Sequence, residues 1–331
     1  MNQRIARILR AVFAAAIMLS AGLSAAWAQD AAKGFPSRPI RLVIGFAAGG
    51  GNDILARIVT QKVSESLGQP IIIENKAGAQ SIIAAEHVKN ATPDGYTVMM
   101  GAIGAMAINP AVFAKLPYDT VRDFKPLTML GSFPLILTVA ANSPFKNVQD
   151  VVAYAKANPD KANYGSSSPA FQLPTELFKM KTGAPIQRIA YRSSGESVLA
   201  VISGTVTMTI ADVIPVAGQL KAGQVRGLAV TADKRMSEFP DIPTMAEAGV
   251  PDMEVGLWTG FFVPSATPPA IAAKLEAEFV RALKNPDVAA RLKELGVEPS
   301  GNTSQEFARI IERDLGRWTA VAKANDIKFD Q

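Results

Sequence analysis

Ile40-Arg41-Leu42-Val43-Ile44-Gly45-Phe46-Ala47-Ala48-Gly49-Gly50-Gly51-Asn52-Asp53-Ile54-Leu55 is the stretch on which the fold turns. Its first five residues are an apolar run rich in β-branched side chains and read as a buried strand. A glycine-rich turn follows. Ile54, Leu55, Ile58, Val59, Val63 and Leu67 then recur at helical spacing, with Gly68 as the stop. A strand entering a helix through such a turn gathers backbone N–H groups and the helix N-terminus at the strand's carboxyl end, a place suited to phosphates or carboxylates. The turn is not a Walker loop, since no Gly-Lys-Ser/Thr follows. It is not a dinucleotide fingerprint either, because Ile54 stands where the third glycine belongs. On spacing alone, glycines that merely shape a βα turn remain an equal reading. Asp53 lies four residues before Arg57, the spacing of a helix ion pair.

Outward from this unit the pattern continues. A strand over residues 71–73, a helix over 81–90 and a Pro93-Asp94-Gly95 turn lead into a strand over 96–100. The middle third restarts the alternation, with strands over 134–140, near 164–165, 186–191, 206–210 and 225–231, and helices between them. Strands alternating with helices predict an α/β fold with a largely parallel sheet. After an extended run over 255–263 containing Trp258, the chain turns helical. Pro268 stands at the first position of one helix, and Thr303 with Glu306 forms a capping box for the last. Two α/β halves and a helical tail predict two lobes joined by extended crossovers near 132–138 and 255–263, which permit rigid-body closure.

A second candidate loop is Tyr164-Gly165-Ser166-Ser167-Ser168-Pro169-Ala170, again strand, small polar loop, helix. A serine nucleophile there would lack the second glycine of the G-x-S-x-G elbow. The only histidine, His87, falls in a plain helical segment. A hydrolase using a hydroxyl of Ser166–Ser168 is one reading of this loop.

The chain has 331 residues, 48% of them apolar, and no cysteine, which removes disulfide scaffolds, thiolate catalysis and Cys-based zinc sites. Arg4, Arg7 and Arg10, an apolar stretch over 11–19 and the small residues ending in Ala26-Trp27-Ala28 make the pattern of a cleavable signal peptide over residues 1–28. The apolar stretch is shorter than the roughly 20 residues of a membrane span. Removing the segment takes three of the 34 basic residues and none of the 29 acidic ones, so a net charge of +5 falls to +2. Nucleic acid as a partner loses its support.

Several further stretches carry a family likeness. They include Phe35-Pro36-Ser37-Arg38-Pro39-Ile40-Arg41, the Ala48-Gly49-Gly50 loop with Asp53 and Arg57, Asn75-Lys76-Ala77-Gly78-Ala79 and Pro93-Asp94-Gly95-Tyr96. Later come Thr175-Glu176-Leu177-Phe178, the run from Gly223 to Thr231, Pro243-Thr244-Met245-Ala246-Glu247-Ala248-Gly249, and Trp258-Thr259-Gly260-Phe261 before Pro264 and Pro268. In this order they resemble the Bug family, the TctC-like receptors of tripartite tricarboxylate transporters, over essentially the whole mature chain. The resemblance implies a two-lobed Venus-flytrap fold of the type II periplasmic binding class. Lobe 1 would comprise residues 35–134 and 258–331, and lobe 2 residues 135–257. It implies a monomeric periplasmic protein that needs no cofactor or metal, performs no chemistry, and hands a small carboxylate to membrane transporter subunits.

Matched residue by residue, first-lobe contacts would come from Phe46, Ala47, Ala48, Gly49, Gly50 and Asp53, from Ala79 and Gln80, and from Gly101, Ala102 and Ile103. Second-lobe contacts would come from Ser166, Ser167, Ser168, Ser193, Ser194 and Asp212. The chain departs from the family pattern at Gln80-Ser81, where small glycine-like residues are usual, around Gln172-Leu173, at Ala190-Tyr191-Arg192-Ser193, and at Thr207. An aliphatic dicarboxylate, an amino acid and an aromatic acid all stay open as ligands. So does a sensor accessory in place of a transport receptor.

Overall fold

A computed structural model describes residues 33–49 and 51–329. The signal segment over 1–28 and Gly50 lie outside the described residues. β1 (Ile40–Ile44) leads into α1 (Gly51–Leu67), followed by β2 (Ile71–Asn75), α2 (Ile82–Lys89) and β3 (Thr97–Ala102). α1 buries Leu55, Ile58, Val59 and Val63 on one face, each contributing roughly 2 kcal/mol by leaving water. It ends where the Gly68 N–H reaches the Ser64 carbonyl at 3.0 Å with Gly68 at φ +66°, a left-handed stop that glycine adopts without strain. β1 pairs in parallel with β2 on one side and β3 on the other. Its Ile40, Leu42 and Ile44 pack toward α1, while Val43 faces a separate core cluster, as the two-residue period of a strand requires.

Two short helices, α3 (Asn109–Val112) and α4 (Thr120–Asp123), precede β4 (Phe124–Ala140), a 17-residue strand. The second βα series is α5 (Val148–Ala157), β5 (Asn163–Ser166), α6 (Pro169–Thr182), β6 (Gln187–Ala190), α7 (Ser194–Ile202), β7 (Met208–Asp212), α8 (Val213–Lys221) and β8 (Val225–Val230). β9 (Gly256–Pro264) returns to the first half, and α9 (Pro269–Leu283), α10 (Pro286–Glu294), β10 (Glu298–Pro299) and α11 (Ser304–Ala324) complete it. The spatial order is β2-β1-β3-β9-β4-β7-β5-β6, with β8 and β10 also paired to β4.

The outer strands of both halves are parallel, as the alternation predicts. The middle is antiparallel, because β4 and β9 are the long strands that pass between the halves. β4 changes partners along its length. From Phe124 to Pro134 it pairs with β9, and from Leu135 to Ala140 with β7 and β8. Its first part does not read as a strand because Lys125, Pro126 and Gly131 interrupt the apolar run. The ladder absorbs them with register shifts between Pro126 and Thr128 and between Met129 and Gly131, where a missing N–H is tolerated.

At the switch of partners sits Thr231. Its hydroxyl accepts from the Leu135 N–H at 2.8 Å and donates to the Val255 carbonyl. Its own N–H donates to the Leu135 carbonyl at 2.9 Å, and its carbonyl accepts from the Val255 N–H at 2.8 Å. One buried threonine therefore clasps both connecting segments.

The capping box of α11 is present as read, Thr303 and Glu306 exchanging side-chain and backbone bonds. Pro268 caps α9 from outside, and Pro269 occupies its first turn. Behind the sheet, Phe261 stacks on Phe279 at 4.0 Å, and Trp258 meets Phe307 edge-on at 5.1 Å.

Candidate functional site

Each half contains the same reversal. β2 and β3 flank β1, and β6 and β7 flank β5, so successive connections leave the central strand in opposite directions. Such a reversal opens a crevice outside the carboxyl ends of the strands. The two crevices meet in one cavity of about 900 Å³. Phe46 and Ala47 enter it from the end of β1, Ala102 and Ile103 from the end of β3, Ser168 and Ala170 from the loop after β5 and the start of α6, and Asp212 and Ile214 from the end of β7 and the start of α8.

On the first side, Asp53 organises the glycine-rich turn from below. Its buried carboxylate accepts from the Gly49 N–H at 3.0 Å, from Arg57 Nε at 2.9 Å and Nη2 at 3.1 Å, and from Asn75 Nδ2 at 3.1 Å. The Arg57 guanidinium, the Gly49 amide and Asn75 hold its carboxyl down at about 2 against the opposing cost of burial. Asn75 also donates to the Phe46 carbonyl at 3.1 Å, so the turn is fixed at both ends.

Beside this turn, Ala79, Gln80 and Ser81 have φ of 43°, 52° and 68°, three successive left-handed residues without a glycine among them. That backbone is why small glycine-like residues suit this place, and here hydrogen bonds hold it instead. Asn109 Nδ2 donates to the Gln80 carbonyl at 3.0 Å, and the Ser81 hydroxyl to the Gly45 carbonyl at 3.0 Å. Asn109, Gln80, Ser81 and Asn52 all line the cavity, and Asn52 Oδ1 is buried without a hydrogen-bond partner.

On the second side, Asp212 ends β7 and is 9% exposed. Burial pushes its carboxyl above the ordinary range, partly offset by the Ser194 hydroxyl, which donates to Oδ2 at 2.8 Å, and by nearby backbone amides. Between the two polar sides the walls are apolar, formed by Phe46, Ile103, Phe133, Phe171, Leu257 and Trp258. Trp258 is held in place by its Nε1–H, which donates to Asp314 Oδ2 at 2.8 Å. Lys221 also lines the cavity, and its Nζ lies 2.5 Å from Glu238.

Of the contacts expected from sequence, Phe46, Ala47, Gln80, Ala102, Ile103, Ser168 and Asp212 line the cavity. The others do not. Ala48, Gly49 and Ala79 are exposed and lie outside the lining. Asp53 spends its oxygens on the turn itself. Gly101 packs against Met106 and Phe262, where an added Cβ would come within 2.9 and 3.0 Å. Ser166 is buried and accepts from Arg188 Nε at 2.8 Å, so its hydroxyl is paired with Arg188 and not with His87. Ser167 lies outside the lining. Ser193 caps α7 by accepting the Glu196 N–H, and Ser194 stands one bond behind Asp212.

Sequence reasoning missed Asn52, Ser81, Asn109, Phe133 and Phe171. Asn52 and Ser81 adjoin residues that were singled out, whereas Asn109 and Phe171 arrive through the packing of α3 and the first turn of α6, which no local pattern announces. His87 is on α2 outside this lining, with Nε2 buried and unbonded.

Chemically, the cavity offers backbone and side-chain amides on one side and hydroxyls with a carboxylate on the other. No helix among the described residues is long and apolar enough to cross a membrane.

The family model described as "Tripartite tricarboxylate transporter family receptor", TctC, matches residues 55–327. BugT of Bordetella pertussis is 30% identical over 313 residues, covering 94% of this chain and 95% of its own. Among solved structures, Rpa4515 of R. palustris with adipate is 35% identical with a TM-score of 0.78, covering 90% of this chain and 100% of that one. MatC of Rhodopseudomonas palustris with bound malate is 32% identical with a TM-score of 0.74, covering 87% and 99%. The fold, a mixed α/β sheet with flanking helices, is that of these binding proteins, and the chain belongs to the TctC/Bug family of periplasmic solute receptors.

Proposed function

We propose that this protein is an exported receptor that captures a small organic acid between lobe 1 (residues 35–134 and 258–331) and lobe 2 (residues 135–257). It works as a monomer and passes the ligand to the membrane subunits of a tripartite-tricarboxylate-type transporter. The observation that carries the reading is that the carboxyl ends of both strand trios open on one cavity with amide donors on its first-lobe side. A carboxylate there is met by N–H groups inside an apolar, water-poor enclosure, where such bonds are stronger than in bulk water. The adipate and malate bound by Rpa4515 and MatC support the ligand class. Ligand preference for the closed arrangement shifts the equilibrium between lobe positions, and the closed surface is what a membrane partner reads. The protein binds its ligand and does not transform it.

The test is a thermal-shift screen of refolded, ligand-stripped mature protein against di- and tricarboxylates, amino acids, aromatic acids, a neutral sugar and simple cations, with calorimetry on the hits. A ligand at 100 times its Kd stabilises by about 2.7 kcal/mol through mass action. A shift by carboxylates supports the reading. A shift by the sugar or a cation alone overturns it.

A further inference from the structure

The charges around the cavity are the reverse of what an anion receptor would be expected to carry. Asp212, Glu238 and Glu294 line it against a single basic residue, Lys221. Lys221 is committed to Glu238, 2.5 Å away, so its charge is already neutralised. Glu294 is exposed at the rim, where water screens it. Asp212 is different. It is 9% exposed, faces the cavity, and receives a hydrogen bond from the neutral Ser194 hydroxyl at 2.8 Å. It forms no ion pair with any of the described residues. A buried carboxylate without a counter-charge is costly to a fold and is retained where something else supplies that charge.

We propose that Asp212 is the specificity-determining residue of the cleft, and that the ligand carries a protonated amine, which docks on this carboxylate, in addition to its own carboxylate. This rests on the carboxylate-receptor reading above and narrows it to amino acids with an apolar body. The three parts of such a ligand match the three parts of the cavity. The carboxylate faces the backbone amides at the end of β1 and the N-terminus of α1 on the first side. The hydrocarbon lies along Phe171 and Trp258, and the ammonium meets Asp212. Ser194 fixes the orientation of the Asp212 carboxylate through Oδ2. A ligand with carboxylates only would set its second negative charge near Asp212, an arrangement that like-charge repulsion disfavours.

The test uses two matched sets of probes with the ligand-stripped mature protein, measured by calorimetry. One set is phenylalanine, 3-phenylpropionate and phenethylamine. The other is 6-aminohexanoate, hexanoate and hexylamine, with adipate alongside. In at least one set the amino acid is expected to bind tenfold or more tighter than the carboxylate lacking nitrogen. Asp212→Asn, which keeps the shape and the Ser194 bond, is expected to erase that preference by weakening the amino acid tenfold or more, and to tighten adipate. If in neither set the amino acid binds more tightly than its nitrogen-free carboxylate, or if adipate binds as tightly as the tighter amino acid, the proposal falls and the carboxylate reading stands. If the amines bind as tightly as the amino acids, the carboxylate reading falls and the role of Asp212 stands. If none of the seven binds, both fall. The comparison within wild-type protein decides the matter even where Asp212→Asn fails to fold.

Discussion

The Ser81 hydroxyl donates to the Gly45 carbonyl at 3.0 Å, and the two backbones are so close that a Cβ on Gly45 would overlap the Ser81 side chain and approach its Cα to 2.9 Å. This contact joins the end of β1 to the left-handed turn and so sets the width of the cavity's first side. Gly45→Ala is expected to be the most damaging change here, because a clash with backbone cannot be relieved by a rotamer. Ser81→Ala should cost about 1–3 kcal/mol by stranding the carbonyl. Ser81→Gly should cost less, since glycine adopts φ +68° without the roughly 1 kcal/mol strain of an L-residue there. Urea unfolding of the three variants gives the ranking. Equal losses for Ser81→Ala and Ser81→Gly would remove backbone strain from the account.

Asp53 gives a pH signature. Its carboxyl lies at about 2 in the folded chain against an ordinary 3.8, so the unfolded state binds more protons in that range. The stabilisation is therefore complete above about pH 4 and is lost as pH falls through about 2. Asp53→Asn should flatten that part of the stability profile and cost about 1–2 kcal/mol at neutral pH. An unchanged acid limb in chemical denaturation would show that the Arg57 pair contributes nothing.

Trp258 lines the cavity whereas Trp318 is buried elsewhere, in contact with the core beneath α11. Ligand addition should change the intrinsic fluorescence of the mature protein, and Trp258→Phe should abolish that change. Trp318→Phe should leave it. Loss of the signal in Trp318→Phe instead would place the ligand away from this cavity.

Much of the fold was legible because burial imposes a period. Ile40–Ile44 and the spacing from Leu55 to Val63 declare a strand and a helix wherever they occur, and the alternation declares the α/β class. The first ten residues of β4 were not legible, since Pro126 and Gly131 look like loop and are tolerated only because β9 supplies a ladder with bulges. The site was legible at the level of loops and not of side chains. The glycine-rich turn and the serine loop do open on the cavity, yet Asn52 is in its lining while Ala48 and Gly49 are not. Which way a turn presents its residues depends here on Asp53 and Asn75, the latter 22 positions farther along the chain than the former. Asn109 could not be found by pattern at all, for its role is to bond the Gln80 carbonyl in a turn that exists only once α2 and α3 are packed.

Thr231→Val, nearly isosteric, should cost about 2–4 kcal/mol, because two hydrogen bonds vanish and the Leu135 N–H is left dry. Thr231→Ser should keep most of that stability. Denaturant titration of both variants tests this, and a neutral Thr231→Val would mean that water replaces the hydroxyl.

The same threonine has a mechanical consequence. Two separate connecting strands could each flex on their own, letting one half twist, slide or tilt against the other. Fastening both to one side chain, at Leu135 and at Val255, obliges them to bend at the same level. In the lobe closure proposed above, that shared fastening would bring the Asp212 side of the cavity back to the Asn52 side in one register.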